Sequence, residues 1–219
     1  MTDFVVHNIP GSPFGRAVLI ALEEKGASYR VARVGLATMR APEHLARHPF
    51  GRVPAIEHGD FRLYETQAIL RYVDRVLGGA PLTPADPRTA ARMDQLMNIN
   101  DWYLFRDVGI PIGFQRVIVP RLMGGKADEA VVAAAMPKAD AVFAQLSALL
   151  ADQAYFTGSE VTLADVMLAP QLDLLREAAE WAALTRTRPN LEAWLTRMAA
   201  RPSLAATTWD RVESIAEAA

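Results

Sequence analysis

The stretch from Arg47 to Val76, RHPFGRVPAIEHGDFRLYETQAILRYVDRV, holds the sequence signals that decide the fold. Ala55 and Ile56 form a short apolar run, residues 57–60 (EHGD) are typical of a turn, and residues 61–64 (FRLY) alternate at the strand period. The stretch therefore predicts two antiparallel strands joined by a tight turn.

Two junctions at the ends of this hairpin offer binding groups. Pro54 lacks an N–H and has a fixed φ, so we expect it at a strand start or edge, where the backbone of Val53 stays free to pair with an extended peptide. After the second strand, Glu65 and Thr66 open a helix whose free N–H groups favour an anion. We name the free backbone of Val53 the peptide ledge. Together with the anion-binding start of the helix at Glu65 and Thr66, it favours a short acidic peptide as the ligand.

The residues before this stretch predict a βαβ unit. Residues 4–8 form a short apolar strand, and a turn leads to a helix from Pro13 to Lys25 that Ser12 is well suited to cap. Residues 29–33 alternate again and predict a second strand, parallel to the first through a right-handed crossover. Together with the hairpin and its helix, the first part of the chain reads βαβ and then ββα.

The second part of the chain has a different pattern. Residues 79–87 contain three prolines and no periodicity, which is typical of an interdomain linker. We therefore predict an α/β domain at residues 1–78, a linker at 79–87 and an all-helical domain at 88–219. The final residues 214–219 (SIAEAA) are expected to be frayed.

Within the predicted helical domain, two features stand out. Pro111, Gly113 and Pro120 are expected to kink or interrupt the end of its first long helix. Thr162 and Asp165 have the spacing of a capping box and predict a helix start with a purely structural role.

Composition excludes several classes of function. The formal net charge of −2 and the lack of basic runs argue against nucleic-acid binding, and no apolar stretch approaches the length of a membrane span. The N-terminus lacks a signal layout, so we expect a cytoplasmic protein. The absence of cysteine excludes disulfides and a nucleophilic protein thiol, and the four histidines have no metal-ligand spacing.

The motifs resemble those of a known family, the cytosolic glutathione transferases. The run His48-Pro49-Phe50-Gly51-Arg52-Val53-Pro54, followed by Glu65-Thr66, is similar to their Asn-Pro-x-Gly-x-Val-Pro stretch and Glu-Ser pair, with His48 in place of Asn and Thr66 in place of Ser. The resemblance spans nearly the whole chain and fits the serine-type, phi/theta-like bacterial class. It implies a thioredoxin-like N-terminal domain followed by an all-helical C-terminal domain.

Ser12 is the candidate catalytic residue. A helix N-terminus and a hydroxyl donor both stabilise an anionic sulfur, and Ser12 lies where the resemblance places a catalytic serine. The tyrosine-type classes need a tyrosine near the first strand, and Phe4 to Phe14 contains none; omega-like enzymes need a cysteine. The alternative is that Ser12 only caps its helix.

The resemblance also assigns the glutathione-binding residues. It implies that Glu65 meets the α-amino group of glutathione, that Thr66 binds the γ-glutamyl carboxylate and that the Val53 backbone pairs with the cysteinyl segment. It further implies that Pro54 is cis and presents Val53 to the peptide. No cofactor is expected, because glutathione is the co-substrate.

Further residues are candidates with a competing interpretation. Arg40 and Arg52 lie where such enzymes place cations near the glycyl carboxylate, or they are solvated surface charges. Phe14, Tyr103 and Phe114 are candidates for the hydrophobic substrate site, although core or subunit contacts explain such aromatics more simply.

Two functions from different classes remain. The favoured one is a homodimeric detoxification enzyme that ionises glutathione and directs it onto a hydrophobic electrophile held by the helical domain. The alternative is a noncatalytic transferase-like module that binds ligands or a protein partner. The sequence leaves open whether glutathione serves conjugation, isomerisation, dehalogenation or peroxide reduction.

Overall fold

A computed structural model describes residues 3–218, which pack into two compact units. The first unit contains the chain up to Thr83 together with the segment from Ala199 onward, and the second contains Pro84–Met198. Across the described range, every helix is too short or too polar to cross a membrane.

The strands of residues 3–218 form one mixed five-stranded sheet in the first unit. In chain order they are β1 (Phe4–Asn8), β2 (Tyr29–Arg33), β3 (Ala55–His58), β4 (Phe61–Tyr64) and β5 (Ala216–Ala218). The spatial order is β4-β3-β1-β2-β5; β1 is parallel to β2 and antiparallel to β3, β3 is antiparallel to β4, and β2 is parallel to β5.

Helices make up most of the remaining structure. In chain order they are α1 (Pro13–Glu24), α2 (Pro42–Leu45), α3 (Thr66–Val76), α4 (Pro87–Ile99), α5 (Val119–Met123), α6 (Glu129–Leu150), α7 (Leu163–Leu175), α8 (Trp181–Thr185), α9 (Pro189–Ala199), α10 (Pro202–Ala206) and α11 (Trp209–Ile215), with a π-helical segment, Asn100–Ile118, between α4 and α5.

The predicted thioredoxin-like arrangement is confirmed. The order β1-α1-β2 followed by β3-β4-α3 matches the βαβ and ββα units read from the sequence. Helix α1 is buried on nearly all sides from Ala17 to Leu22, because α3 and the sheet pack against it. This packing fixes the N-terminus of α1 at the edge of the sheet where β1 ends.

The first long helix of the second unit is not broken at its prolines. Its helical backbone continues to Met123, and the expected irregularity takes the form of the π-helical segment, in which Val119 N–H donates to the Phe114 carbonyl. A π turn holds one residue more than an α turn, so it can accommodate the missing N–H and the ring of Pro111. Pro120 stands in the first turn of α5, where proline is tolerated.

The expectation of a frayed C-terminus is wrong for the described residues. Helix α11 extends to Ile215, and β5 pairs in parallel with β2, with Ala216 opposite Val31. The prediction that residues 88–219 are all helical is therefore also wrong for this strand. An edge strand has unpaired backbone groups, so three residues without strand periodicity can still pair there; residue 219 lies outside the described range.

Candidate active site

The sheet register brings the three candidate motifs, at Ser12, Val53–Pro54 and Glu65–Thr66, to one end of the strands. Ala55, at the start of β3, is paired with His7 near the end of β1 and with Tyr64 at the end of β4. Consequently, the turn after β1, the loop before β3 and the start of α3 all lie at the same end of the strands. Ser12, the Val53–Pro54 pair and the Glu65–Thr66 pair are carried by these segments.

Ser12 caps α1 through its side-chain oxygen. Its Oγ accepts a hydrogen bond of 3.2 Å from Gly15 N, and its own N–H donates to the Ile9 carbonyl at 3.0 Å. The residue is half-buried, and the first turn of α1 contains no acidic side chain. Because the cap uses Oγ as an acceptor, the hydroxyl proton is not committed to it, so capping and donation to an anion are compatible.

Two glycines shape the backbone around Ser12. Gly11 has a φ of +90°, a conformation that side chains rarely adopt. At Gly15 a Cβ atom would lie 1.9 Å from Asn8 Oδ1, so the buried Asn8 amide packs directly on the first turn of α1. Among the described residues Asn8 Oδ1 has no hydrogen-bond partner.

The loop before β3 has the features of the predicted peptide ledge. The Val53–Pro54 peptide bond is cis, as the resemblance implied. Pro54 is buried and Val53 is half-buried, and the pairing of β3 with β1 begins only at Ala55. Val53 therefore lies just outside the ladder, where an added strand would pair.

His44, which was not predicted as a site residue, holds this loop. His44 is buried, and its Nε2 lies 2.7 Å from the Arg52 carbonyl oxygen. Since a carbonyl oxygen can only accept, Nε2 carries the proton of this hydrogen bond. The signal that was available is a histidine four residues before His48, on the same face of a helical turn.

His48 packs in the position where the family has asparagine. Its N–H donates to the His44 carbonyl and its carbonyl accepts from Gly51 N, both at 2.8 Å, while its ring lies 4.8 Å from that of Tyr64. Burial lowers the pKa of the His48 imidazole, and the nearby Glu65 carboxylate opposes that effect. The loop is thus held by a tilted ring contact and by backbone hydrogen bonds of His48.

A carboxylate on β3 ties the same loop to the sheet. Glu57 Oε1 lies 3.3 Å from Arg47 Nε, 3.3 Å from Arg62 Nε and 3.6 Å from His7 Nε2. Burial and the nearby Arg47 lower the pKa of His7 to about 4, against the attraction of Glu57. His7 is therefore neutral near pH 7, and the ion pairs of Glu57 are made by the two arginines.

Glu65 and Thr66 begin α3 in an unusual way. Glu65 has a φ of 72°, and its exposed side chain makes no capping hydrogen bond to the described first turn of α3. Glu65 therefore does not act as a side-chain cap of α3. A non-glycine residue with positive φ is strained, and such strain concentrates at functional sites. Thr66 is buried as the first residue of the helix.

The two candidate cations lie on the loop that leads to Val53. A Cβ atom on Gly51, which has a φ of +58°, would lie 3.0 Å from Arg40 Cδ. The Arg40 side chain therefore packs against the backbone next to Arg52. Both arginines are exposed, so they can reach an anion without a large desolvation penalty.

The aromatic candidates are divided between the units. Phe14 is half-buried in the first turn of α1, two residues after Ser12. Tyr103 is 53% exposed and Phe114 is 37% exposed on the π-helical segment of the second unit. Across residues 3–218 the His, Asp and Glu side chains nowhere group in a way that could hold a metal ion.

Comparisons with known proteins agree on one family. The family model of the glutathione S-transferase N-terminal domain matches residues 3–75, and that of the C-terminal domain matches residues 105–202. Glutathione S-transferase 4 of Zea mays is 34% identical over 204 residues, which cover 88% of this chain and 86% of that protein. Glutathione S-transferase F12 of Arabidopsis thaliana is 32% identical over 190 residues, which cover 85% and 88%.

Solved structures agree with these matches. The structure of glutathione S-transferase III in its apo form superposes with a TM-score of 0.83 at 32% identity and covers 97% of both chains. Glutathione S-transferase-I bound with lactoylglutathione has a TM-score of 0.82 at 28% identity, covering 97% of this chain and 99% of its own.

Proposed function

The chain belongs to the glutathione S-transferase family, and we propose that it uses Ser12 to ionise the glutathione thiol for attack on hydrophobic electrophiles. The observation that supports the proposal is that Ser12 Oγ caps α1 as an acceptor, which does not use the hydroxyl proton. The helix N-terminus next to it adds partial positive charge.

The chemistry needs a thiolate. With a pKa of about 8.5, a free thiol is only a few per cent ionised at neutral pH. A hydroxyl donor and a helix N-terminus that together lower this pKa by about two units would stabilise the thiolate by roughly 2.7 kcal/mol. The thiol proton passes to solvent, the sulfur forms a bond to an electrophilic carbon, and the displaced group leaves or the addition is completed by a proton from water.

The remaining site residues hold the tripeptide in this proposal. The Val53 backbone pairs with the cysteinyl segment, Glu65 binds the α-amino group and Thr66 binds the γ-glutamyl carboxylate. The outward Glu65 carboxylate supports this assignment, because the helix does not use it as a cap. Arg40 and Arg52 bind the glycyl carboxylate from the loop beside Pro54.

The electrophile and the assembly are also part of the proposal. Tyr103 and Phe114, the aromatic candidates of the second unit, supply apolar surface for a hydrophobic substrate. The protein acts as a cytoplasmic homodimer in detoxification, and exposed aromatics such as Phe50 and Trp102, each 62% exposed, are the kind of side chain that a subunit contact covers.

Ser12→Ala tests the proposal. We expect the bound glutathione thiol to titrate about one unit higher, because the hydroxyl provides a large share of the stabilisation. Conjugation at neutral pH should slow accordingly, while S-hexylglutathione, which has no thiol proton, should bind nearly as before. Ultraviolet thiolate absorbance of the complex, turnover and calorimetry measure these three quantities.

A matched control is Asp128→Ala, because Asp128 caps α6 by accepting from Ala130 N and Val131 N at 3.0 and 3.2 Å. Both variants should lose about 1 kcal/mol of stability as helix caps, but only Ser12→Ala should move the thiol titration. If Ser12→Ala leaves the thiol titration and the turnover unchanged, Ser12 does not activate the thiol. The result would then favour the noncatalytic alternative or another donor to the sulfur.

A further inference from the structure

The C-terminal segment of residues 201–218, which we name the clamp, lies along α1 and the β2 edge of the sheet. It contains α10, α11 and β5, and it belongs to the same compact unit as Ser12. Helix α10 packs against α1, and β5 extends the sheet beside β2. The clamp therefore contacts the helix whose N-terminus Ser12 caps.

One end of the clamp is anchored at the C-terminal end of α1. Arg201 Nε and Nη2 donate to the two carboxylate oxygens of Glu24 at 2.7 Å each, and Ser203 Oγ donates to Glu24 Oε1 at 2.5 Å. Burial would raise the pKa of the Glu24 carboxyl, but the hydrogen bonds from Arg201 and Ser203 keep it below its ordinary value. These contacts lie three turns of helix away from Ser12.

A second group of clamp contacts lies at the N-terminal end of α1, next to Ser12. Arg16 Nη2 donates to the Leu204 carbonyl at 3.2 Å, one helical turn after Ser12. Three ring carbons of Trp209 lie 2.4 to 2.6 Å from the position that a Cβ atom on Gly11 would occupy. The Trp209 indole thus fills the space of a side chain at the residue directly before Ser12.

Strand β5 attaches the C-terminal end of α11 to the sheet. It follows α11 directly and pairs with β2, and Glu213 on α11 forms an ion pair with Arg33 at the end of β2. Trp209 at the start of α11 is consequently held on both sides along the chain, by α10 before it and by β5 after it.

We propose that Trp209 is a positioning residue for Ser12, holding the Gly11 turn so that the Ser12 hydroxyl points at the bound sulfur. Gly11 has a φ of +90°, and glycine can leave such a conformation more readily than any other residue. The indole packed on it blocks the alternative backbone conformations. The inference rests on the proposed function, because it requires that Ser12 donates to the thiolate.

The test compares the clamp contacts at the two ends of α1. Trp209→Ala should raise the apparent thiol pKa of bound glutathione by about half a unit and lower kcat at neutral pH several-fold, with S-hexylglutathione affinity unchanged. Trp209→Phe, which keeps a ring on Gly11, should restore most of the difference. Glu24→Gln weakens the distant anchor and should lower stability without moving the titration. Should Trp209→Ala fail to fold, Trp209→Leu takes its place.

A double substitution separates this inference from the proposed function. Adding Trp209→Ala to Ser12→Ala should cause no further titration shift, because the indole acts through the hydroxyl. A shift with Ser12→Ala but none with Trp209→Ala, or an equal shift with Glu24→Gln, overturns the positioning role alone. No shift with Ser12→Ala overturns the proposed function and the positioning role with it.

Discussion

The starts of α7 and α1 are both capped by a polar side chain, but the two caps differ in how fully their oxygens are used. Asp165 is completely buried and accepts hydrogen bonds from Phe156 N, Thr162 N, Thr162 Oγ and Trp194 Nε1 at 2.9 to 3.1 Å. Ser12 is half-buried, and its Oγ accepts one hydrogen bond, from Gly15 N at 3.2 Å. The hydroxyl proton takes no part in this capping hydrogen bond. A saturated, buried group serves the fold, whereas a partly used group at the surface can serve a ligand.

Electrostatics follow the same division. Burial raises the pKa of the Asp165 carboxyl, and the donors of Phe156, Thr162 and Trp194 oppose that rise. The predicted capping box is therefore present, but it is also the centre of a buried network that joins α7 to the loop before it and to α9. Glu65 at the start of α3 is the opposite extreme, since its carboxylate does not serve the helix as a cap.

The largest effect is expected at the saturated cap. Asp165→Ala should lower the free energy of unfolding by about 3 kcal/mol, because it leaves several buried donors without an acceptor. Thermal or denaturant unfolding measures this loss, and Asp140→Ala is the control, since its carboxylate is 62% exposed and pairs with Arg188. The thiol titration of the folded protein should be unchanged; a shifted titration with normal stability would place the active site at α7.

An intermediate effect is expected at the start of α3. Glu65→Ala should weaken the binding of glutathione and of S-hexylglutathione equally, by about 2 kcal/mol, through loss of one charge-assisted contact. The free energy of unfolding should hardly change, because the side chain is exposed and caps nothing. Glu65→Gln separates charge from shape, and calorimetry with both ligands is the measurement. A loss confined to free glutathione would mean that Glu65 acts on the sulfur instead.

The smallest effect is expected behind the peptide ledge. His44→Phe removes the donor to the Arg52 carbonyl and should raise the KM for glutathione about fivefold, equivalent to about 1 kcal/mol, with kcat nearly constant. Glu43→Ala is the control on the same short helix, since its side chain is exposed. Steady-state kinetics measure the KM for glutathione of both variants. An equal rise in KM for both would show that His44 has no special part in holding the ledge.

Much of the site was predictable because its signals are local. The hairpin and the helix starts at Ser12 and Thr66 depend on residues within a few positions of one another, whereas the cis peptide at Pro54 was implied by the family resemblance. Proline, turn residues and capping side chains restrict the backbone of their own neighbours, so one sequence is enough to recognise them.

Other features could not be predicted from the sequence, because they depend on contacts between distant segments. The contact of Trp209 with Gly11 and the pairing of β5 with β2 join residues that are separated by most of the chain. The hydrogen bond from His44 to Arg52 spans fewer residues, but it exists only because the loop folds back before β3.

The sequence by itself therefore determined the two-part architecture and the family, and it predicted candidate residues for glutathione binding. The tertiary structure alone decided which polar groups are saturated, how the loop before Val53 is held and what packs on the turn before Ser12. Backbone propensity acts over a few residues, whereas burial and hydrogen-bond saturation depend on whichever distant segment packs nearby. The same capping chemistry can thus become a structural network at Asp165 and a candidate catalytic group at Ser12.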